Sequence, residues 1–275
     1  MRLVTMRTAN GTRAGRLDGD SVIELADSDV GALLAGGAAS LAAAARADGP
    51  RHALADVDLA PVVPKPPKII CVGQNYMAHI AEMGSQPPDY PTLFAKYTRA
   101  LIGPRDDIVI PKVSDNVDWE VELAIVIGSE ARHLTNENAL EAVAGWTIFN
   151  DVSVRDYQRR TQQFLQGKTF EKTTPVGPVL VTKDEIDVTD VRLTTEVDGQ
   201  VMQSSSTADL LFKPNEIVAY ISQIISLEPG DIIATGTPSG VGAGRKPPVW
   251  LRAGQTVTCR VEGIGELVNR CVGEA

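Results

Sequence analysis

The stretch Asp118-Trp-Glu120-Val-Glu122-Leu-Ala-Ile-Val-Ile127-Gly128 is where the fold and the chemistry of this 275-residue chain are most legible. An aromatic residue followed by valine and isoleucine favours a β-strand. Side chains alternate faces along a strand, so Glu120 and Glu122 project from the same side, with Cβ atoms about 7 Å apart. That separation lets both carboxylates reach one ion. Two glutamates next to a run of aliphatic residues repel each other and resist desolvation, and a divalent cation removes both costs. The same spacing also suits the solvated face of an edge strand, so spacing alone leaves both readings open.

Working outward, Asp151 is the best third carboxylate. It ends the apolar run Gly145-Trp-Thr-Ile-Phe149-Asn150 and opens Asp151-Val-Ser-Val-Arg155-Asp156. Three carboxylates give an all-oxygen donor set, which suits Mg²⁺ or Mn²⁺ over Zn²⁺. Upstream, Gly73-Gln74-Asn75-Tyr76-Met77-Ala78-His79-Ile80-Ala81-Glu82-Met83 holds a second constellation. If Tyr76 to Met83 is helical, His79 and Glu82 lie three apart on one face. A glutamate there fixes the imidazole tautomer and raises its basicity, as a general base requires, although a His near a Glu is also common on unremarkable surface helices. The connector Gly84-Ser-Gln-Pro-Pro88 is flexible and then stiff, which would let the short helix serve as a lid. Lys168 follows a helix-like stretch and could stabilise developing negative charge, or be an ordinary surface lysine.

Composition bounds the remaining possibilities. Lys and Arg total 26 and Asp and Glu total 35, a formal charge of −9. An acidic chain with no basic run is a poor partner for nucleic acid or an anionic membrane. The three scattered cysteines form no CxxC pair and point to reduced thiols in a cytoplasmic protein. The N-terminus lacks a signal-peptide core, and no apolar stretch reaches the roughly 18 residues that span a bilayer.

The chain divides at the proline-rich segment Pro61-Val-Val-Pro-Lys-Pro-Pro67, giving a small N-terminal domain over 1–65 and a main domain over 66–275. In the first part, Asn10-Gly11 and Asp18-Gly19 separate three short strands, and a helix is expected from Val30 to Arg46. The main part is mostly β. Strands are expected at 69–72, 119–128, 147–150 and 232–235. Hairpins are expected around Asp198-Gly199 and over 256–272, and a helix from Pro214 to Ile225. Familiar signatures are incomplete. Gly167-Lys168-Thr169 lacks the P-loop's first glycine, since position 162 is Gln162, and the loop Gly236-Thr-Pro-Ser-Gly240 is neither GxGxxG nor GxSxG.

These segments, taken in order, resemble the fumarylacetoacetate hydrolase family in its bacterial form with a small N-terminal domain. The matching motifs are Gly73 to Glu82, Phe94-Ala-Lys96, Asp118 to Leu123, Asn150 to Asp156, Gly167-Lys168-Thr-Phe170, Pro175-Val-Gly-Pro178 and Thr235-Gly-Thr237-Pro-Ser-Gly240. The chain departs from the family pattern at Gln74, at Val154 and at Glu171-Lys172. The resemblance implies an α+β fold, mostly β, in which a mixed β-roll main domain carries a small N-terminal α/β domain, usually as a homodimer. It implies Mg²⁺ or Mn²⁺ on Glu120, Glu122 and Asp151, with His79, Glu82 and Lys168 catalytic. Gln74, Tyr76, Lys96, Arg155 and Thr237 would bind a small 2-oxo or β-diketo acid. The first expectation is metal-dependent hydrolysis of a C–C bond in an acylpyruvate-type substrate. The alternatives are an oxaloacetate-type decarboxylase or a 2-hydroxyhepta-2,4-diene-1,7-dioate-type isomerase on the same site, and a non-catalytic binding protein.

Overall fold

The computed structural model describes residues 1–275. The strand Val121–Ile127 lies at its centre, and all seven residues are buried. It pairs antiparallel on one side with Val143–Asn150 and on the other with Ile232–Ala234. The edge-strand reading therefore falls. Val121, Leu123, Ile125 and Ile127 face one hydrophobic core, and Ala124 and Val126 face a second. Each buried aliphatic side chain contributes roughly 1.5–3 kcal/mol. That is the scale of energy available to hold the ionisable Glu122 in the same strand.

The sheet has mixed strand directions. Ile232–Ala234 runs parallel to Ile69–Gly73, which pairs antiparallel with the end strand Thr92–Ala95. In the other direction, Val143–Asn150 pairs with Thr174–Thr182. Residues 175–178, matched in the sequence only as a motif, lie in this interior strand although prolines are uncommon there. A five-stranded sheet contains the expected hairpins, Arg192–Val197 with Gln200–Ser206 and Thr256–Val261 with Gly265–Gly273.

Residues 1–65 extend one end of the main sheet. Arg2–Thr8 pairs with Thr174–Thr182, placing Leu3 opposite Leu180, and three further strands follow it outward. Val30, Leu33 and Leu34 pack in the same core as Ala124 and Phe149. The single helix expected from Val30 to Arg46 is instead two, Val30–Ala35 and Gly37–Arg46. Gly37 takes a left-handed φ of +66° at the break, a conformation glycine adopts at little cost. The helix Pro214–Ile224 forms as expected. Glu216 accepts from the Lys213 N–H at 2.7 Å, and Ile217, Val218 and Ile221 point inward.

Candidate active site

The start of the central strand sets the site. Trp119 and Glu120 precede the strand rather than belong to it, and Glu122 is its second residue. The Asp151 N–H donates to the Glu120 carbonyl at 2.9 Å, which ties the end of the neighbouring strand to this position. Glu120, Glu122 and Asp151 are all buried, and one carboxylate oxygen of each lies within 4.8 Å of the others.

The three acids differ in their partners. The Lys168 ammonium bridges Glu120 Oε2 at 2.6 Å and Asp151 Oδ2 at 2.8 Å. Lys96 donates to the other Asp151 oxygen at 2.6 Å. Arg155 pairs with Asp118 at 2.8 Å and with Glu120 at 2.7 Å. Glu122 accepts only the Gly236 N–H, at 2.6 Å, and meets no cation. Burial, then repulsion from Asp151 and Glu120, pushes its carboxyl well above the ordinary range. Burial also pushes Glu120 up, but Lys168 and Arg155 outweigh it and hold that group down at about 2. The Lys168 ammonium is raised, because Asp151 and Glu120 overcome its own desolvation. A buried carboxylate with no ion-pair partner beside two others fits a hard divalent cation, which could draw one oxygen from each.

His79 and Glu82 sit on the short helix Met77–Glu82. The expected pair is made, with His79 Nδ1 2.9 Å from Glu82 Oε2, while Glu82 Oε1 accepts the Gly240 N–H at 2.9 Å. Burial raises the Glu82 carboxyl, yet these two hydrogen bonds hold it below its ordinary value. Glu82 thus anchors both the histidine and the glycine loop at 236–240.

A cavity of about 360 Å³ brings the two constellations together. Its walls include Gln74, His79, Glu120, Glu122, Arg155, Lys168 and Thr237, with Phe94 and Phe164 as apolar walls. Two residues expected at the substrate are not on this surface. Lys96 is buried behind it against Asp151, and the Tyr76 ring is fully buried with its hydroxyl unpartnered. The Thr237 hydroxyl reaches the cavity wall but already donates to the Val121 carbonyl and accepts from Gln203, both at 2.9 Å.

Sequence reasoning missed the segment Gln158 to Phe164, which supplies Gln158, Arg159, Thr161, Gln162 and Phe164 to the cavity. Its position depends on close packing that local pattern does not reveal. Gly167 lies against the backbone of Gln158, where a Cβ would come within 2.4 Å of its nitrogen. Asp118 was also passed over as a site residue. It accepts from Arg155 and from the Gly242 and Ala243 N–H groups, so it fixes both the arginine and the adjacent loop.

The mixed, mostly β architecture is that of the fumarylacetoacetate hydrolase fold. Residues 68–272 match the family model for the fumarylacetoacetate (FAA) hydrolase C-terminal domain, and the chain belongs to that family. It is 46% identical over 217 residues to the mitochondrial oxaloacetate tautomerase FAHD2A of Bos taurus, covering 78% of this chain and 69% of that one. Two solved structures match along the whole of both chains. One is the fumarylacetoacetate hydrolase of Exiguobacterium antarcticum, with a TM-score of 0.89 and 36% identity. The other is the 5-carboxymethyl-2-hydroxymuconate delta-isomerase of Mycobacterium smegmatis, with a TM-score of 0.83 and 38% identity. No helix is long and apolar enough to cross a membrane.

Proposed function

We propose that this protein is a divalent-cation-dependent enzyme that shifts a proton within small 2-oxo acids, interconverting keto and enol forms or isomerising an unsaturated dioate. The observation that carries this reading is that His79, held by Glu82, opens into the same cavity as Glu120 and Glu122 of the acid triad. A base beside a site for negative oxygen is what enolisation needs. The names of the tautomerase and isomerase relatives favour proton transfer over the C–C hydrolysis first expected from the sequence.

Glu120, Glu122 and Asp151 would hold Mg²⁺ or Mn²⁺, which when bound supplies Lewis-acid stabilisation of the oxygen that becomes negative. His79, oriented by Glu82, takes the proton from the carbon next to the 2-oxo group and returns it to oxygen or to a second carbon. Nothing is gained or lost overall. Lys168 adds positive charge on the same side, and the Phe94 and Phe164 walls limit water near the reacting carbon. Arg155, held by Asp118 and Glu120, keeps the Glu120 carboxylate in place.

Hydrolysis remains the second reading, because the Exiguobacterium neighbour carries that name and the same His–Glu pair could activate water. The two are separated by product analysis. With Mg²⁺ or Mn²⁺, oxaloacetate should interconvert between enol and keto forms with no cleavage beyond the enzyme-free rate, while acylpyruvates should stay intact. His79→Ala should slow the interconversion about 10²–10⁴-fold. Rapid cleavage of acylpyruvates without enol–keto turnover would replace the proposal with the hydrolase reading.

A further inference from the structure

Four cationic or basic side chains line the cavity, namely His79, Arg155, Lys168 and Arg159. Three of them are engaged. His79 is held by Glu82, Arg155 by Asp118 and Glu120, and Lys168 by Glu120 and Asp151. Arg159 differs. Its backbone N–H closes the short helix Arg155–Gln158, but its guanidinium makes no ion pair and no hydrogen bond. The adjacent Arg160 points elsewhere and stacks over the Tyr157 ring at 3.4 Å. Arg159 and its neighbour Gln162 are exposed at the outer part of the cavity, whereas the acid triad is buried.

The geometry points to Arg159 as the residue that engages the distal carboxylate of a dioate substrate and so sets the preference for a dioate over a 2-oxo monoacid. This rests on the proposed function and deepens it. One end of the substrate, bearing the 2-oxo acid group, belongs at the buried end among the engaged charges. An anion at the far end would meet the one guanidinium in the cavity whose five donors are all free. Arginine binds a carboxylate in a two-pronged fork that a neutral or apolar substituent cannot use. At about 360 Å³ the cavity is at the small end for ligand pockets, which suits a short-chain dioate better than a bulky acyl group.

The test compares two substrates that differ only in the distal group, oxaloacetate and 2-oxobutanoate. Exchange of the C3 hydrogens into D₂O, followed by NMR with Mg²⁺ present, reads the proposed proton transfer for both. The wild-type protein should prefer the dioate, and Arg159→Gln should lower that preference in kcat/KM by roughly ten- to a hundredfold. Arg159→Lys should recover part of it, since charge is retained and the fork is lost. Calorimetric binding of malate and 2-hydroxybutanoate, which need no turnover, provides the independent measurement. Malate should bind the wild type more tightly, and Arg159→Gln should erase the difference. Equal loss on both members of either pair, or no loss, overturns the role of Arg159 while leaving proton transfer in place. Absence of exchange in the wild type overturns the proposed function, and the binding pair then still decides the role of Arg159.

Discussion

Replacing Glu122 with Gln should stabilise the cation-free protein and remove most of its stabilisation by a divalent cation. The reasoning starts from geometry. Oxygens of Glu120, Glu122 and Asp151 lie within 4.8 Å of one another, and Lys168 bridges only Glu120 and Asp151. At an effective dielectric of about 20, two like charges at that distance repel by about 3.5 kcal/mol. Lys168 offsets part of this, so relief of about 1–3 kcal/mol is expected from an isosteric neutral side chain. For a chain this size that is a rise in Tm of about 2–12 °C. The sign with pH follows from the raised Glu122 carboxyl. Below the ordinary value of 4.5 the group is protonated in folded and unfolded chains alike, so wild type and variant should converge. Above it, the unfolded chain ionises first and the wild type loses stability as pH rises. Adding Mg²⁺ or Mn²⁺ at a hundred times its dissociation constant should raise wild-type stability by about 2.7 kcal/mol. The variant, one charged donor short, should gain much less, so its lead over the wild type should shrink sharply or reverse. Differential scanning fluorimetry from pH 4 to 8, with and without cation, measures all of this. A cation-free variant less stable than wild type at pH 8, or no stabilisation of the wild type by either cation, refutes the reasoning.

Other substitutions probe the surrounding charges. Lys168→Met leaves Glu120 and Asp151 without their shared ammonium and should cost about 3–5 kcal/mol, read as a lowered urea midpoint, part of which Mg²⁺ should restore. A variant as stable as wild type without cation would mean that the bridge in the structure carries no net weight. For Glu82, hydrogen bonds from His79 and Gly240 hold the carboxyl below 4.5, so its stabilising contribution is present above that value and disappears as pH falls through the lower folded value. Glu82→Gln should therefore flatten the acid limb of the Tm–pH curve. An unchanged acid limb would remove the pair as its source.

The parts of the fold visible in the sequence were those set by local rules. The turn dipeptides mark their hairpins, although only Asp198-Gly199 is itself the two-residue turn. Near Asn10-Gly11 and Asp18-Gly19 the turns are Ala9-Asn10 and Gly19-Asp20, one residue away. The apolar face of Pro214–Ile224 fixes its helix. Where distant packing decides, the pattern misled. The alanine-rich run 30–46 reads as one helix, but Gly36-Gly37 divides it so that Val30, Leu33 and Leu34 can enter the core behind Ala124. The strand Thr174–Thr182 is hidden by its prolines and is set in place by neighbours on both sides. The candidate site shows the same division. The alternation of Glu120 and Glu122, and the three-residue spacing of His79 and Glu82, are local and readable. That Lys168 would bridge two of the acids, that Lys96 would lie behind them, and that the Gln158–Phe164 segment would form a wall all depend on contacts between residues 17 to 55 or more positions apart.

The charge count of the site connects its electrostatics to its substrate. Four buried carboxylates, Asp118, Glu120, Glu122 and Asp151, are matched by three buried cations, Lys96, Arg155 and Lys168. With Glu122 ionised, as cation binding requires, the cluster without the cation would be one charge negative and would repel an oxo acid. A divalent cation held by the triad would make it one charge positive, and Arg159 at the outer wall adds another. A dioate would then give both the loaded triad and the outer guanidinium an anionic partner, whereas a monoacid would leave the guanidinium without one. The −9 balance of the whole chain does not oppose this, because field lines from exposed carboxylates are screened within about 8–10 Å at physiological ionic strength, while the buried cluster acts at contact distance. On this view the surplus acid in the core does not exclude acidic substrates. It makes their binding conditional on the cation, so affinity for a dioate should rise with Mg²⁺ or Mn²⁺ far more steeply than affinity for a neutral analogue.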